Sequence, residues 1–201
     1  MTALTLVTGG ARSGKSRFAE RLARQARQPV LYLATAEALD DEMRARIREH
    51  RARRPADWDT LEARRELGAS LARLETPPGT VLLDDLGLLV TNHLLDLCGP
   101  VVPTGPTPET ARALDDALDA ELASLEGAQT AGGWDAIVVT NEVGLGIVPA
   151  TPLGRVFRDA LGRSNQTLAA RADAVYLLVA GLPLRIKPSP HLGAGDPQTG
   201  P

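Results

Sequence analysis

The sequence predicts a single α/β domain, in which a mainly parallel β-sheet carries helices on both faces. Short apolar runs alternate with longer segments of helical periodicity along most of the chain, which is typical of βαβ units. The runs are nearly continuous in aliphatic residues, as expected for strands covered on both sides. With 201 residues, 43% of them hydrophobic, the chain can form one compact domain but not two large ones.

Five apolar runs are predicted as buried strands because they are short and rich in Val, Leu and Ile. They are Leu4–Thr8, Pro29–Thr35, Thr80–Asp84, Asp135–Thr140 and Ala174–Ala180. Leu184–Lys187 is a candidate for a further edge strand.

The segments between these strands predict helices. These are Lys15–Gln28, Asp40–Arg53, Glu62–Leu74, Leu86–Leu97, Thr110–Leu125 and Pro152–Arg171. Gly99–Pro108 and Gly127–Gly133 are predicted loops by composition. We assign residues 1–187 to the folded domain and residues 188–201 to a Pro/Gly-rich tail, which is expected to be disordered.

Composition excludes several classes of function. A formal net charge of −3 gives no support for a nucleic-acid or anionic-membrane partner, and 3% aromatic residues argues against base-stacking surfaces. The single cysteine, Cys98, cannot form an intrachain disulfide. The N-terminal residues show neither a signal peptide nor an apolar run able to span a bilayer, so a cytoplasmic protein is expected.

Gly9–Ser16 fits the phosphate-binding pattern GxxxxGK[ST], between an apolar strand and a helical segment. Its glycines allow backbone N–H groups to turn towards phosphate oxygens, and the helix that follows adds its positive end. Lys15 would reach the β- and γ-phosphates, and the Ser16 hydroxyl would ligate Mg²⁺. The pattern therefore predicts a P-loop NTPase-type domain of the RecA-like kind.

Such a site also needs an acidic residue at the end of a neighbouring strand. Asp84 ends the run Thr80–Asp84 and is our choice for this role, with Asp85 as the alternative. Either residue could instead cap the helix that begins near Leu86, and for Asp85 capping is the better interpretation.

Two further segments carry polar residues whose roles the pattern leaves open. Residues 44–54 are rich in arginine around His50, which fits either a solvated helix face or a set of phosphate ligands. Asn141 and Glu142 follow a predicted strand, so they could lie at a ligand crevice or form a capped turn with Gly144 and Gly146 at positive φ. His93 and His191 are weaker candidates than His50.

Several longer segments together resemble one known family, the bifunctional adenosylcobinamide kinase and adenosylcobinamide-phosphate guanylyltransferases of cobalamin biosynthesis. The resemblance rests on segments spread through Lys187, namely Leu6–Glu20, Leu31–Pro55, Thr140–Pro149, Phe157–Asp173 and Ala180–Lys187. The chain departs from the family pattern after Asp84. The family commonly has Cys and Thr where this chain has Asp85 and Gly87.

The resemblance implies two reactions. ATP or GTP would phosphorylate adenosylcobinamide, and GMP from GTP would then pass through a guanylyl-histidine to adenosylcobinamide phosphate, giving adenosyl-GDP-cobinamide. The resemblance also implies a homo-oligomer, expected to be a trimer. It makes His50 the guanylylated residue and assigns catalytic roles to His50 and Lys15, with Mg²⁺ held through Ser16 and Asp84.

The positions that match the family's nucleotide-binding residues are Gly9, Gly10, Ala11, Arg12, Ser13, Gly14, Lys15, Ser16, Ala34, Thr35, Ala36, Arg51, Ala52, Arg53, Arg54, Glu62 and Asp84. Two other functions remain compatible with the P-loop alone. One is a monofunctional small-molecule kinase with His50 on its surface, and the other is a nucleotide-dependent switch or assembly ATPase.

Overall fold

The computed structural model describes residues 2–36, 51, 54–99 and 105–188. Within them, seven strands form one sheet in the order β3-β2-β4-β5-β1-β6-β7. The strands are β1 Leu4–Gly9, β2 Val30–Ala34, β3 Asp59–Glu62, β4 Thr80–Asp84, β5 Asp135–Val139, β6 Ala174–Val179 and β7 Leu182–Lys187. β7 runs antiparallel to β6, and all other pairs are parallel. The predicted α/β class with a mainly parallel sheet is confirmed.

Helices cover both faces of the sheet, because successive side chains of a strand point to opposite sides. The described helices are α1 Lys15–Gln25, α2 Leu67–Ala72, α3 Leu86–Cys98, α4 Pro108–Gly132 and α5 Pro152–Arg171. Leu6 of β1 lies in the larger core, with leucines of α2 to α5. Its neighbour Val7 lies in the smaller core, with Phe18 and Ala19 of α1.

The sequence at each helix start explains where α3, α4 and α5 begin. The side chains of Asp85, Thr107 and Thr151 each accept a hydrogen bond from a backbone amide in the first turn. Pro108 and Pro152 follow two of these caps, at positions where a missing N–H costs nothing. The bounds predicted for α5 are confirmed.

Two local predictions were wrong. Glu62–Leu74 was predicted as one helix, but it contains the end of β3 and only the short helix α2. The strand escaped detection because Asp59–Glu62 is polar and mostly exposed at the sheet edge. Gly127–Gly133 was predicted as a loop, whereas α4 continues to Gly132, since Leu125 and Gln129 keep its last turns packed on the core.

Other predictions fall wholly or partly outside the described residues. Of the helix predicted at Asp40–Arg53, only Arg51 is described, and it is helical. Of the predicted tail, only Pro188 is described. In the described part of the chain, no helix is long and apolar enough to cross a membrane.

The buried carboxylate of Glu121 anchors α2 to α4. It accepts hydrogen bonds from the amides of Glu66 and Leu67, at 2.9 and 2.6 Å, and lies 3.3 Å from Nε2 of His93. Burial alone would raise the pKa of Glu121, but the bonds from His93 and the two amides hold it below its ordinary value. This contact gives His93 a structural role.

The close approach of α2 to α4 generates a prediction about Gly68. A Cβ atom at Gly68 would lie inside contact distance of the Ser124 carbonyl, which belongs to helix backbone and cannot rotate away. Gly68→Ala should therefore lower the free energy of unfolding by about 1–3 kcal/mol. Urea denaturation measures this change.

Gly127→Ala, also in α4, is the matched control, because a Cβ atom there would meet nothing within 4 Å. It should raise the free energy of unfolding by about 0.5–1 kcal/mol through the better helix propensity of Ala. Equal urea midpoints for the two variants would contradict the packing described here.

Candidate active site

The loop Gly9–Ser16 joins β1 to α1 and needs glycine at both ends. A Cβ atom at Gly9 would lie 2.7 Å from the carbonyl oxygen of Leu178 in β6. Gly14 has φ of 93°, a conformation that favours glycine, and it precedes the first residue of α1. The turn directs the amino-terminal end of α1 into the loop, where an anion would be stabilised.

Lys15 and Ser16 begin α1 and lie where the pattern predicted. The Lys15 ammonium donates to the carbonyl oxygen of Gly10 at 3.3 Å, so its side chain folds back over the loop. The Ser16 hydroxyl donates to Oδ1 of Asp84 at 3.3 Å. The buried Ser13 hydroxyl has no hydrogen-bond partner among the described residues. The loop thus presents positive charge and polar donors towards one point.

The Asp84 carboxylate also accepts from a residue that the sequence did not suggest. The Tyr32 hydroxyl of β2 donates to Oδ2 of Asp84 at 2.8 Å. Burial, together with the Asp84 charge, raises the pKa of Tyr32 far above its ordinary value, which keeps the hydroxyl protonated as a donor. A tyrosine in an otherwise aliphatic strand is the signal that could have identified it, because a buried hydroxyl needs a partner.

Asp85 caps α3, which confirms the structural interpretation of this residue. Its Oδ1 accepts from the amide of Leu88 at 2.8 Å, and its Oδ2 accepts from Nδ2 of Asn141 at 3.4 Å. Burial and then the neighbouring Asp84 charge raise the pKa of Asp85. A Cβ atom at Gly87 would lie 2.9 Å from the same Asn141 nitrogen.

The segment after β5 lies next to the phosphate loop, because β5 pairs directly with β1. The backbone amide of Glu142 donates to the carbonyl oxygen of Gly9 at 3.1 Å. The side-chain Nδ2 of Asn165 in α5 donates to the backbone carbonyl oxygen of Asn141, also at 3.1 Å. The Glu142 carboxylate also caps the amide of Gly144 at 2.6 Å. The capped turn expected for this segment is therefore present, but the positive φ predicted for Gly144 and Gly146 was wrong.

Ala34 ends β2, and Thr35 and Ala36 follow it at the same edge of the sheet. Ala34 pairs with Asp84. The buried Thr35 hydroxyl donates to the carbonyl oxygen of Asp85 at 2.8 Å, so this side chain joins β2 to the end of β4.

Arginines reach this edge from the segment that follows His50. Arg51 forms an ion pair with Glu62 at the end of β3. The Arg54 guanidinium carbon lies 3.2 Å from the centroid of the Tyr32 ring, and its Nε and Nη1 have no partner among the described residues. His50, Ala52 and Arg53 lie outside the described residues, as does His191.

The turn between β6 and β7 contacts the phosphate loop on the side opposite to the segment after β5. The amide of Gly181 donates to the Ser13 carbonyl at 2.9 Å, and the α-carbon of Gly181 lies 3.3 Å from where a Cβ atom on Gly14 would be. Sequence reasoning placed an edge strand here but did not connect the turn to the loop. The pair Ala180-Gly181, in which both residues have positive φ, marks the tight turn.

The residues present fit Mg²⁺. Among the described residues there is no cluster of three or more His, Cys, Asp or Glu able to hold a metal ion by themselves. Magnesium is commonly held by one or two carboxylates together with substrate phosphates and water. The adjacent oxygens of Asp84 and Ser16 meet that requirement.

A glycine-rich turn before a helix, a lysine over the turn and a carboxylate beside the serine hydroxyl define a P-loop nucleotide-binding enzyme. Residues 5–186 match the model of the family described as cobinamide kinase / cobinamide phosphate guanyltransferase. The chain belongs to this family.

Characterised relatives match over nearly their full length. Bifunctional adenosylcobalamin biosynthesis proteins CobU of Salmonella typhimurium and Escherichia coli are each 46% identical over 92% of this chain and 99% of their own. CobP of Pseudomonas aeruginosa is 45% identical over 92% of this chain and 98% of its own. A crystal structure of the RadB recombinase shares 17% identity with a TM-score of 0.45, covering 87% of this chain and 73% of the other. This structural similarity is too low to support any conclusion about the chain.

The two donors on Asp84 generate a prediction. Tyr32→Phe removes one of them and lets the carboxylate rotate away from Ser16. We expect the Mg²⁺ concentration that half-saturates GTP binding to rise, and the free energy of unfolding to fall by about 1–2 kcal/mol. Calorimetric titration of GTP at several Mg²⁺ concentrations measures the first effect.

Tyr176→Phe is the matched control, because the Tyr176 ring packs edge-on against Phe18 and its hydroxyl makes no hydrogen bond with the described residues. It should leave the Mg²⁺ dependence unchanged. If the two variants behave alike, Tyr32 does not position Asp84.

Proposed function

We propose that the chain phosphorylates adenosylcobinamide with ATP or GTP and then transfers GMP from GTP to adenosylcobinamide phosphate, giving adenosyl-GDP-cobinamide. The observation that carries this proposal is the contact of the phosphate loop with Asp84, within a chain that matches the family model over residues 5–186. The relatives named as bifunctional cobalamin biosynthesis proteins support it.

In the first reaction, the hydroxyl of the aminopropanol arm of adenosylcobinamide attacks the γ-phosphorus. The bond from that phosphorus to the nucleoside diphosphate breaks, and the hydroxyl proton leaves to solvent or a nearby base. Catalysis of this step is mainly positioning and charge neutralisation. The amides of Gly9–Ser16 would orient the phosphates, and Lys15 would offset the charge on the β- and γ-oxygens.

In the second reaction, His50 attacks the α-phosphorus of GTP. An N–P bond forms and pyrophosphate leaves, held by the same loop. A phosphate oxygen of adenosylcobinamide phosphate then attacks the guanylyl phosphorus and releases His50. The attacking imidazole must be neutral, because a protonated ring nitrogen has no lone pair to form the N–P bond.

Ser16 and Asp84 would hold Mg²⁺ together with the substrate phosphates. The ion would supply charge neutralisation at the phosphate oxygens. The chain's own part is to fix the orientation of those ligands, and the hydroxyl of Tyr32 supports this by holding Asp84.

Arg54 and Arg51 would contribute further phosphate contacts. The Arg54 guanidinium rests on the Tyr32 ring, and its Nε and Nη1 are buried without a partner among the described residues, so it would have to move to donate to a phosphate. Arg51 would have to exchange its partner Glu62 for phosphate.

We also propose the homo-oligomer, a trimer, that the family resemblance implies.

His50→Ala tests the division of labour between the two reactions. We expect it to keep phosphorylation of adenosylcobinamide and to lose guanylyl transfer, because only the second reaction uses the imidazole as nucleophile. GTP labelled on the α-phosphate should label the wild-type protein in an acid-labile, alkali-stable form, whereas label on the γ-phosphate should not.

His93→Gln is the control histidine variant and should still accept the α-label. A wild-type protein that binds GTP but takes no α-label would instead be a monofunctional kinase. Equal loss of both activities in a folded His50→Ala protein would contradict the separate role of this residue.

Lys15→Ala tests whether both reactions share one phosphate site. Removing the ammonium should lower both rates by about 10²–10³-fold, because each reaction places negative charge beside it. Initial rates of phosphorylation and of α-labelling give the two values. The shared site would be ruled out by a variant in which only one rate falls.

A further inference from the structure

The segment from Val143 to Ala150, which we call the strap, is fixed at both ends. At its start the amide of Glu142 is bonded to Gly9 of the phosphate loop. At its end Nη1 of Arg155 donates to the carbonyl oxygens of Pro149 and Ala150, at 2.8 and 3.0 Å. The strap is thus a loop held in place beside the site.

The side chains that the strap presents to solvent are large and apolar. Leu145, Ile147 and Val148 are 86%, 96% and 63% exposed. No charged residue occurs between Val143 and Thr151. Contiguous exposed apolar side chains of this kind are a feature of ligand-binding and protein-binding surfaces.

A second apolar surface lies on the opposite side of the phosphate loop. Val179 and Leu182 flank the β6–β7 turn and are 58% and 73% exposed. The turn between them is bonded to Ser13 of the loop. Because β1 lies between β5 and β6, the strap after β5 and the turn after β6 flank the loop from its two sides.

We propose that the strap and the β6–β7 turn form the docking surface for the ring system of the corrinoid acceptor. This inference rests on the proposed function. The acceptor must bring one small hydroxyl-bearing arm to the phosphates at Lys15, while its ring is far too large to enter the loop. The ring must therefore lie on the surface beside the loop, and the methyl-bearing hydrocarbon framework of the macrocycle matches uncharged aliphatic side chains.

Other surfaces of the site suit this occupant less well. The end of β3 and the segment around Arg51 and Arg54 carry charged side chains, which fit phosphates rather than a ring. A second copy of the chain would also cover an apolar surface, and the experiment below separates that case from substrate binding.

The test compares the same substitution at opposite edges of the sheet. Ile147→Ser alters the strap. Ile186→Ser alters β7 at a residue that is 46% exposed and lies near the amino-terminal end of β6, its antiparallel neighbour. Three quantities are measured for each full-length variant: equilibrium binding of adenosylcobinamide by its visible absorbance, KM in the phosphorylation reaction, and mass by sedimentation. GTP binding is measured in parallel.

For Ile147→Ser we expect the dissociation constant and KM for adenosylcobinamide to rise about tenfold, with GTP binding and mass unchanged. Ile186→Ser should leave binding and KM at wild-type values. Unchanged affinity in Ile147→Ser, an equal rise in both variants, or a fall in the mass of Ile147→Ser would each overturn the docking surface.

Measurements on the wild-type protein distinguish failure of the docking proposal from failure of the proposed function on which it rests. Binding of adenosylcobinamide that weakens in Ile147→Ser, without any phosphorylation, would reject the reaction and keep the docking surface. A wild-type protein that neither binds nor phosphorylates adenosylcobinamide would reject both.

Discussion

The carboxylate of Asp84 connects the parts of the site to one another. It accepts from Ser16 in the first turn of α1 and from Tyr32 in β2, while its own strand lies two positions from β1 in the sheet. Since β5 separates β1 from β4, the contact between Ser16 and Asp84 spans a strand. The helix that completes the phosphate loop is thereby fixed to the side of the sheet where Glu62 ends β3 and Arg54 lies on the Tyr32 ring.

The elements that sequence predicted well are those whose physical signal is local and strong. Buried strands such as Thr80–Asp84 show a continuous apolar run, and the start of α5 is marked by the N-cap Thr151 followed by Pro152. β3 gave no such signal, because a polar edge strand is defined by its pairing with β2. The extension of α4 through Gly127 likewise depends on distant packing, which overrides the low helix propensity of glycine.

The residues of the candidate site likewise include some that the sequence predicted and some that it did not. The phosphate loop could be predicted because its conformation requires particular residues at fixed spacing. Tyr32 could not be assigned, since its partner lies 52 residues away and is reached only through the order of strands. His50 depended on resemblance, because an arginine-rich helical segment has the same periodicity whether it faces water or phosphate.

The contact of Asn141 with Asp85 makes two positions of the chain interdependent. The Asn141 amide lies 3.4 Å from the Asp85 carboxylate and only 2.9 Å from the space that a side chain at Gly87 would enter. The acidic residue at 85 thus draws the amide into space that glycine at 87 leaves open. The two departures from the family's Cys and Thr therefore lie beside the same side chain, that of Asn141. We expect the fitness of either residue to depend on the other, so that the two sites covary among relatives.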